Sequence, residues 1–335
     1  MTEQILEVRG LSTEIDSDQG VVKAVDGVSF EVSHGRTLAI VGESGCGKTM
    51  MALSVMGLLP RPHGHVVAGE IVFLGRHLLG LSSRQLRDIR GKEIAMIFQD
   101  PMTSLNPALT IGTQITESLR RHLGLKGAAA RTRAAVQLDE VGIPNAGGRL
   151  GAYPHEFSGG MRQRVMIAIA IACNPKLLIA DEPTTALDVT TQARILDLLH
   201  ELRNEHSMGL LLITHDMGVV ADVADETIVM YAGQVVEQSD VYELFERPEH
   251  PYTKALLNAS PSLDDRAIRH GRLAAIPGLP PSLVVPQNAC RFAPRCAYAG
   301  RDDGCATTAP ELREIRPGHL VRTNHPMSEL AEVPA

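Results

Sequence analysis

The sequence predicts an α/β fold built on a parallel sheet, and three observations carry the prediction. Four continuous apolar runs, TLAIV (37–41), AMIF (95–98), LLIA (177–180) and LLLI (210–213), are separated by longer stretches with helical spacing. Strands buried on both faces read as unbroken hydrophobic runs, as parallel strands covered by helices do. Each run ends in polar groups: a glycine loop, Gln99, Asp181 with Glu182, and Thr214 with His215. Open α/β sheets bind ligands at the carboxyl ends of their strands, so one site is expected from four distant segments.

The remaining elements follow in order. Residues 1–35 alternate more and carry turn formers at Asp16, Ser17, Asp18, Gln19 and Gly20, which predicts an antiparallel β subdomain beside the core. Residues 102–160 are rich in Ala, Leu, Arg and Gln at helical spacing and read as a helical insertion. Of 20 prolines, eight precede residue 248 and twelve lie in the last 88 residues, which sets a boundary near 245. The expected organisation is a nucleotide-binding domain over 1–245 and a loop-rich C-terminal extension over 246–335. No internal repeat is visible, so the chain carries one such domain.

Composition narrows the function. With 44% apolar and 21% charged residues among 335, the chain is a folded protein. A formal charge of -7 argues against nucleic acid as a partner. The longest apolar stretches, such as VMIAIAIAC at 165–173, fall short of the ~18 to 20 residues of a membrane-spanning helix. The start, MTEQILEVRG, lacks the basic and apolar regions of a secretory signal, so a cytoplasmic protein is expected.

GESGCGKT at 42–49 fits the phosphate-loop pattern G-x-x-x-x-G-K-[ST]. Across Gly42, Glu43, Ser44, Gly45, Cys46 and Gly47, backbone N–H groups can turn inward on a phosphate. Lys48 neutralises its oxygens, and the Thr49 hydroxyl is offered to Mg²⁺. In LLIADEP (177–183), Asp181 is expected to hold Mg²⁺ through water and Glu182 to polarise the attacking water. His215, taken alone, reads as a core or surface histidine rather than as a site residue. In FSGGMRQR (157–164), Ser158 is an N-cap and Gly159 and Gly160 expose N–H groups at a helix start, a second anion site.

This ordered set, with ALD at 186–188, resembles the ATP-binding subunits of ABC transporters over residues 5–245 or so. The resemblance implies a P-loop NTPase fold with a RecA-like parallel sheet, binding ATP and Mg²⁺. It implies a head-to-tail dimer in which Ser158, Gly159, Gly160 and Gln163 meet the nucleotide held by the partner's phosphate loop, with Asp188 crossing the interface. Gln99 would sense γ-phosphate and Mg²⁺ and report to a membrane subunit, and His215 would contact the γ-phosphate and orient Glu182. Where the family stacks adenine on an aromatic, this sequence places Ile15, with Val22 nearby, so apolar contact replaces stacking.

Three further stretches, PEHPYTKALL (248–257), PGLPPS (277–282) and CRFAPRCAYAGRDDGC (290–305), resemble the C-terminal extension of dipeptide and oligopeptide permease ATPases. The group also serves nickel and glutathione importers. The resemblance implies an ATPase of a peptide importer on the cytoplasmic side of the membrane. Its partners would be two membrane subunits, an extracytoplasmic solute-binding protein and a second, different ATPase. A soluble ABC ATPase acting on nucleic acid or ribosomes is the rival, disfavoured by the single nucleotide domain. Cys290, Cys296 and Cys305 are spaced too widely for a zinc ribbon. In the resembled group a fourth cysteine completes a set that can hold an iron–sulfur cluster. Here His319, His325, an oxygen donor or an external molecule would have to complete it; the alternative is three reduced bystander thiols.

Overall fold

The structure, a computed structural model, describes residues 3–185, 187–259, 275–284, 288–299 and 304–330. Its strands in chain order are β1 (Gln4–Ser17), β2 (Gly20–Ser33), β3 (Thr37–Val41), β4 (Gly64–Phe73), β5 (Arg76–His77), β6 (Ile94–Ile97), β7 (Leu177–Asp181), β8 (Gly209–Thr214), β9 (Glu226–Tyr231), β10 (Gln234–Asp240), β11 (Arg313–Arg316) and β12 (His319–Val321). The four apolar runs are thus β3, β6, β7 and β8, each within a residue of its expected bounds. Two compact units divide the chain: one of residues 1–7, 31–37 and 72–213, the other of 8–30, 38–71 and 214–335.

In the first unit, β6, β7 and β8 pair in parallel, with Ile94 opposite Leu177 and Leu177 opposite Gly209. Every residue of β7 and β8 is buried, the condition that a continuous apolar run encodes. Gly209 is required where it stands, because a Cβ there would strike Ile5 Cδ1 and the Ser33 carbonyl. The insertion is helical as expected, with helices Ile111–Leu123 and Gly127–Glu140 preceding Gly159–Ile171. Ile111, Ile115 and Leu119 form one buried stripe at i, i+4, i+8 spacing.

In the second unit the sheet order is β11-β12-β10-β9-β3. β3 runs parallel to β9, with Ile40 opposite Ile228, while β10 pairs antiparallel with both β9 and β12. The antiparallel subdomain is also present, with β1 flanked by β2 and β4. The C-terminal extension is loop-rich as expected and adds two short strands: β12 pairs with β10, which would otherwise expose a row of unpaired backbone groups, and β11 pairs with β12.

Residues on both sides of 245 share one core, in which Val41, Val229 and Tyr231 pack with Tyr252, Leu256 and Phe292. The chain has only 11 Tyr and Phe residues, and three of them meet here. Tyr231 and Tyr252 lie 4.6 Å apart by ring centroid, and Phe292 is 5.3 Å from each. Each such pair contributes on the order of 0.5–1.5 kcal/mol beyond its burial.

Candidate nucleotide site

The phosphate loop lies in the second unit, between β3 and the helix Lys48–Met56. Its glycines serve different ends. A Cβ at Gly42 would strike the Met230 carbonyl, and one at Gly47 the Ala24 carbonyl, so backbone packing forbids side chains there. Gly45 has open space around it but φ of 80°, which L residues avoid. Gly47 precedes the helix at φ 105° with no side-chain cap, leaving first-turn N–H groups for an anion. Lys48 is buried, and its Nζ donates to the carbonyls of Gly42 (2.7 Å) and Glu43 (3.1 Å). An ammonium held by two loop carbonyls, beside an uncapped helix start, is a cradle that fits phosphate oxygens. Ser44 and Gly45 are exposed, Cys46 is buried with its thiol pushed up by desolvation, and Thr49 is half-buried.

Ile15 on β1 and Val22 on β2 belong to the same unit and are half-buried, leaving apolar surface for a contact. His215 follows β8 and is exposed, while Thr214 Oγ1 accepts from the Asp216 N–H at 3.0 Å.

The first unit holds the carboxylates. Asp181 ends β7 and is 1% exposed. Glu182 adopts φ 46°, a left-handed conformation unusual outside glycine, and its N–H is held by the Ile213 carbonyl at 2.9 Å. Strain of this kind persists where the surroundings fix it and concentrates at functional positions. Glu182 Oε2 accepts from Gln99 Nε2 and from Thr185 Oγ1, both at 3.0 Å, so Gln99 and Glu182 are brought together across 83 residues of sequence.

Ser158 caps the helix Gly159–Ile171 through Oγ, which accepts from the Met161 N–H at 3.4 Å. Ser158 and Gly159 are exposed and Gly160 is half-buried. Asp188 caps the helix Val189–His206, accepting from Thr191 N (3.0 Å) and Thr191 Oγ1 (2.7 Å), and these bonds hold its carboxyl below the usual range. Of the ALD stretch, Ala186 lies outside the described residues. The Gln163 side chain is 2% exposed on the inward face of the helix, unlike the exposed Ser158 and Gly159.

Cys290, Cys296 and Cys305 are half-buried free thiols, and the Cys290 N–H donates to the Cys305 carbonyl at 3.1 Å. Burial raises the Cys290 and Cys296 thiols, and the neighbouring sulfurs raise them further. Among the described residues the three sulfurs do not fall within 4.8 Å of one another as a metal-holding group would. His319 is no fourth donor: its Nε2 donates to Glu237 Oε1 at 2.7 Å and its Nδ1 accepts from Arg316 at 3.1 Å. With the three sulfurs apart and His319 engaged elsewhere, these residues as placed do not form a ready iron–sulfur site.

Two groups bonded to or within the extension escaped the sequence reading. Glu237, fully buried, accepts from the N–H groups of Glu249 (2.7 Å) and His250 (2.9 Å) and from His319. Arg295 reaches the phosphate loop itself, pairing both of its terminal nitrogens with the Glu43 carboxylate at 2.6 and 2.8 Å. CRFAPRC contains Arg295 and PEHPYT contains the Glu237 partners Glu249 and His250, but nothing local to these motifs names the pairings.

A glycine-rich phosphate cradle following a strand in one unit, and a parallel sheet ending in buried carboxylates in the other, are each parts of a P-loop nucleotide hydrolase. Residues 25–185 match the ABC transporter family, and residues 236–305 match the oligopeptide/dipeptide transporter C-terminal region. The chain is 52% identical over 315 residues to a probable peptide ABC transporter ATP-binding protein, y4tR of Sinorhizobium fredii, covering 94% of this chain and 93% of that one. It is 48% identical over 333 residues to the oligopeptide transport ATP-binding protein OppD of Bacillus subtilis, covering 99% and 92%. Among solved structures, a dimeric ATP-binding cassette in a post-hydrolysis state with ADP and Pi aligns at TM-score 0.63 and 26% identity, over 70% of this chain and 98% of that one. The chain belongs to the ABC transporter ATP-binding family, in the branch bearing the oligopeptide/dipeptide C-terminal region. It is an ATPase coupled to transport. No helix among the described residues is long and apolar enough to cross a membrane.

Proposed function

We propose that this chain hydrolyses ATP to power import of di- or oligopeptides through membrane subunits that it does not itself supply. The observation that carries the cargo assignment is the pairing of the ATPase match with the peptide-transporter C-terminal region, alongside near full-length relatives named for peptide transport. Partners of this reading are two membrane subunits, an extracytoplasmic solute-binding protein and a second ATP-binding subunit placed head to tail, with the chain on the cytoplasmic face of the membrane. The exposure of Ser158, Gly159 and Asp188 supports a role for them toward another subunit.

In this reading Lys48 and the loop N–H groups hold the β- and γ-phosphates. Thr49, Asp181 and Gln99 offer the hard oxygen donors that suit Mg²⁺. Bound there, the ion neutralises charge on the phosphate oxygens. Glu182 orients and polarises the attacking water, with Gln99 and Thr185 fixing its carboxylate. His215 acts on the γ-phosphate side, and Ile15 with Val22 contacts the base. Hydrolysis drives transport conformationally, so the chain need not touch cargo.

The test is ATP hydrolysis by the complex assembled in proteoliposomes with its solute-binding protein. Dipeptides or oligopeptides should stimulate turnover and accumulate in the lumen. Stimulation by Ni²⁺ or glutathione, without response to any peptide, would overturn the cargo assignment.

A further inference from the structure

An acidic residue in a loop built to hold polyphosphate is an electrostatic contradiction, and the second unit resolves it with Arg295, 252 positions further along the chain. Glu43 follows the first loop glycine. Its carboxylate is clasped by Arg295, whose Nη1 and Nη2 donate to the two oxygens at 2.6 and 2.8 Å. The guanidinium is itself immobilised. Its Nε donates to the Pro277 carbonyl at 2.8 Å, its Nη2 reaches the Ile276 carbonyl at 3.4 Å, and its Cζ lies 5.8 Å from the Tyr231 ring centroid. The Arg295 side chain is 4% exposed and that of Glu43 25%, so the pair is partly shielded from solvent screening. The backbone is held as well, since the Glu43 N–H donates to the hydroxyl of the buried Tyr252 at 2.9 Å. Both contacts come from the C-terminal extension, and both land on one residue of the phosphate loop.

We propose that Arg295 is a positioning residue for nucleotide binding, neutralising Glu43 and fixing the loop so that ATP affinity depends on the C-terminal extension. A bidentate arginine sets the direction of the carboxylate as well as cancelling its charge. Freed of Arg295, Glu43 would stand as an unpaired negative charge on the loop that must accept the ATP phosphates. The inference rests on the chain being an ATPase that uses this loop.

The experiment measures equilibrium ATP affinity of the full-length chain, and KM and kcat of the assembled complex, for Arg295→Met, Arg295→Lys and Glu43→Gln singly and combined. Arg295→Met should weaken ATP binding roughly three- to tenfold, appearing in KM more than in kcat. In the Glu43→Gln background the same substitution should change affinity less than about twofold, because no carboxylate is left to neutralise. Should Arg295→Met fail to fold, Arg295→Lys serves. It keeps the charge but loses the fork, and its smaller weakening should vanish with Glu43→Gln. Unchanged affinity in Arg295→Met or Arg295→Lys would overturn the proposal, as would a loss that persists undiminished beside Glu43→Gln. Lys48→Ala is the control: if it binds ATP as well as the unaltered chain, the ATPase reading of this loop fails, not the role of Arg295.

Discussion

Phe292→Ala tests whether the C-terminal extension is an appendage or part of the core beneath the phosphate loop. Phe292 is 3% exposed and meets Tyr231 edge-on at 5.3 Å and 85°, with Tyr252 also at 5.3 Å. Truncating a buried Phe to Ala removes its transfer free energy and leaves a cavity, together about 3–5 kcal/mol. The site favours the upper half of that range. The cavity would be walled by two rings belonging to different stretches of chain, and neither can collapse inward without breaking its own bond: the Tyr252 hydroxyl accepts from Glu43 N–H, and Tyr231 lies in β9. A loss of that size lowers the melting temperature by on the order of 10 °C. The assay is thermal and denaturant unfolding of the full chain, followed by limited proteolysis at a temperature below both transitions. Phe292→Leu, which keeps most of the volume, should recover most of the loss. The reasoning is refuted if Phe292→Ala melts within about 2 °C of the unaltered chain while protease removes residues beyond 245 and leaves the remainder melting as before. That outcome would restore two separate cores.

Glu182→Gln should retain ATP binding yet lose at least about a hundredfold in turnover of the assembled complex, since it removes the base but not the cradle; turnover within twofold of normal would deny Glu182 that role. Ile15→Tyr should tighten ATP binding by up to about 0.5–1.5 kcal/mol if the half-buried Ile15 faces the base. Equal affinity and an equal preference over GTP, read by nucleotide titration, would place Ile15 elsewhere. His250, 1% exposed, has its pKa lowered by burial to about 3, while the unfolded chain titrates near 6.5. Between those values the unfolded state binds the extra proton, so stability is intact above about pH 6.5 and falls as pH drops, by up to about 1.4 kcal/mol per unit. His250→Asn can still accept the Tyr252 N–H that His250 Nδ1 accepts at 3.0 Å, and it should flatten the stability slope between pH 7 and 5; an unchanged slope in denaturant titrations assigns the acid sensitivity to other groups.

What the sequence determined by itself was everything encoded locally. Unbroken apolar runs specify strands covered on both faces, which is why β3, β6, β7 and β8 were legible nearly to the residue. Gly42, Gly47, Lys48 and Thr49 were legible because a phosphate loop is one contiguous turn whose backbone needs those residue types in that order. Ser158 was legible as a cap because a cap bonds its own helix three residues on; the cap made by Asp188 was not read from the sequence. Tertiary structure decided what depends on facing. Gln163 sits in a motif that reads as exposed, yet its place on the helix turns it into the core. The left-handed backbone of Glu182 and its bond to Gln99 depend on neighbouring strands, not on the sequence DE. What the extension packs against was illegible for the same reason. Proline content reports how a segment bends but not what it packs against, and only folding brings Tyr252 and Arg295 onto Glu43 and sets β12 against β10. A carboxylate in a phosphate loop and an arginine in a proline-rich tail are each unremarkable along the chain. Their meaning is a distance of 2.6 Å between groups 252 residues apart, and no local rule of propensity or spacing contains that distance.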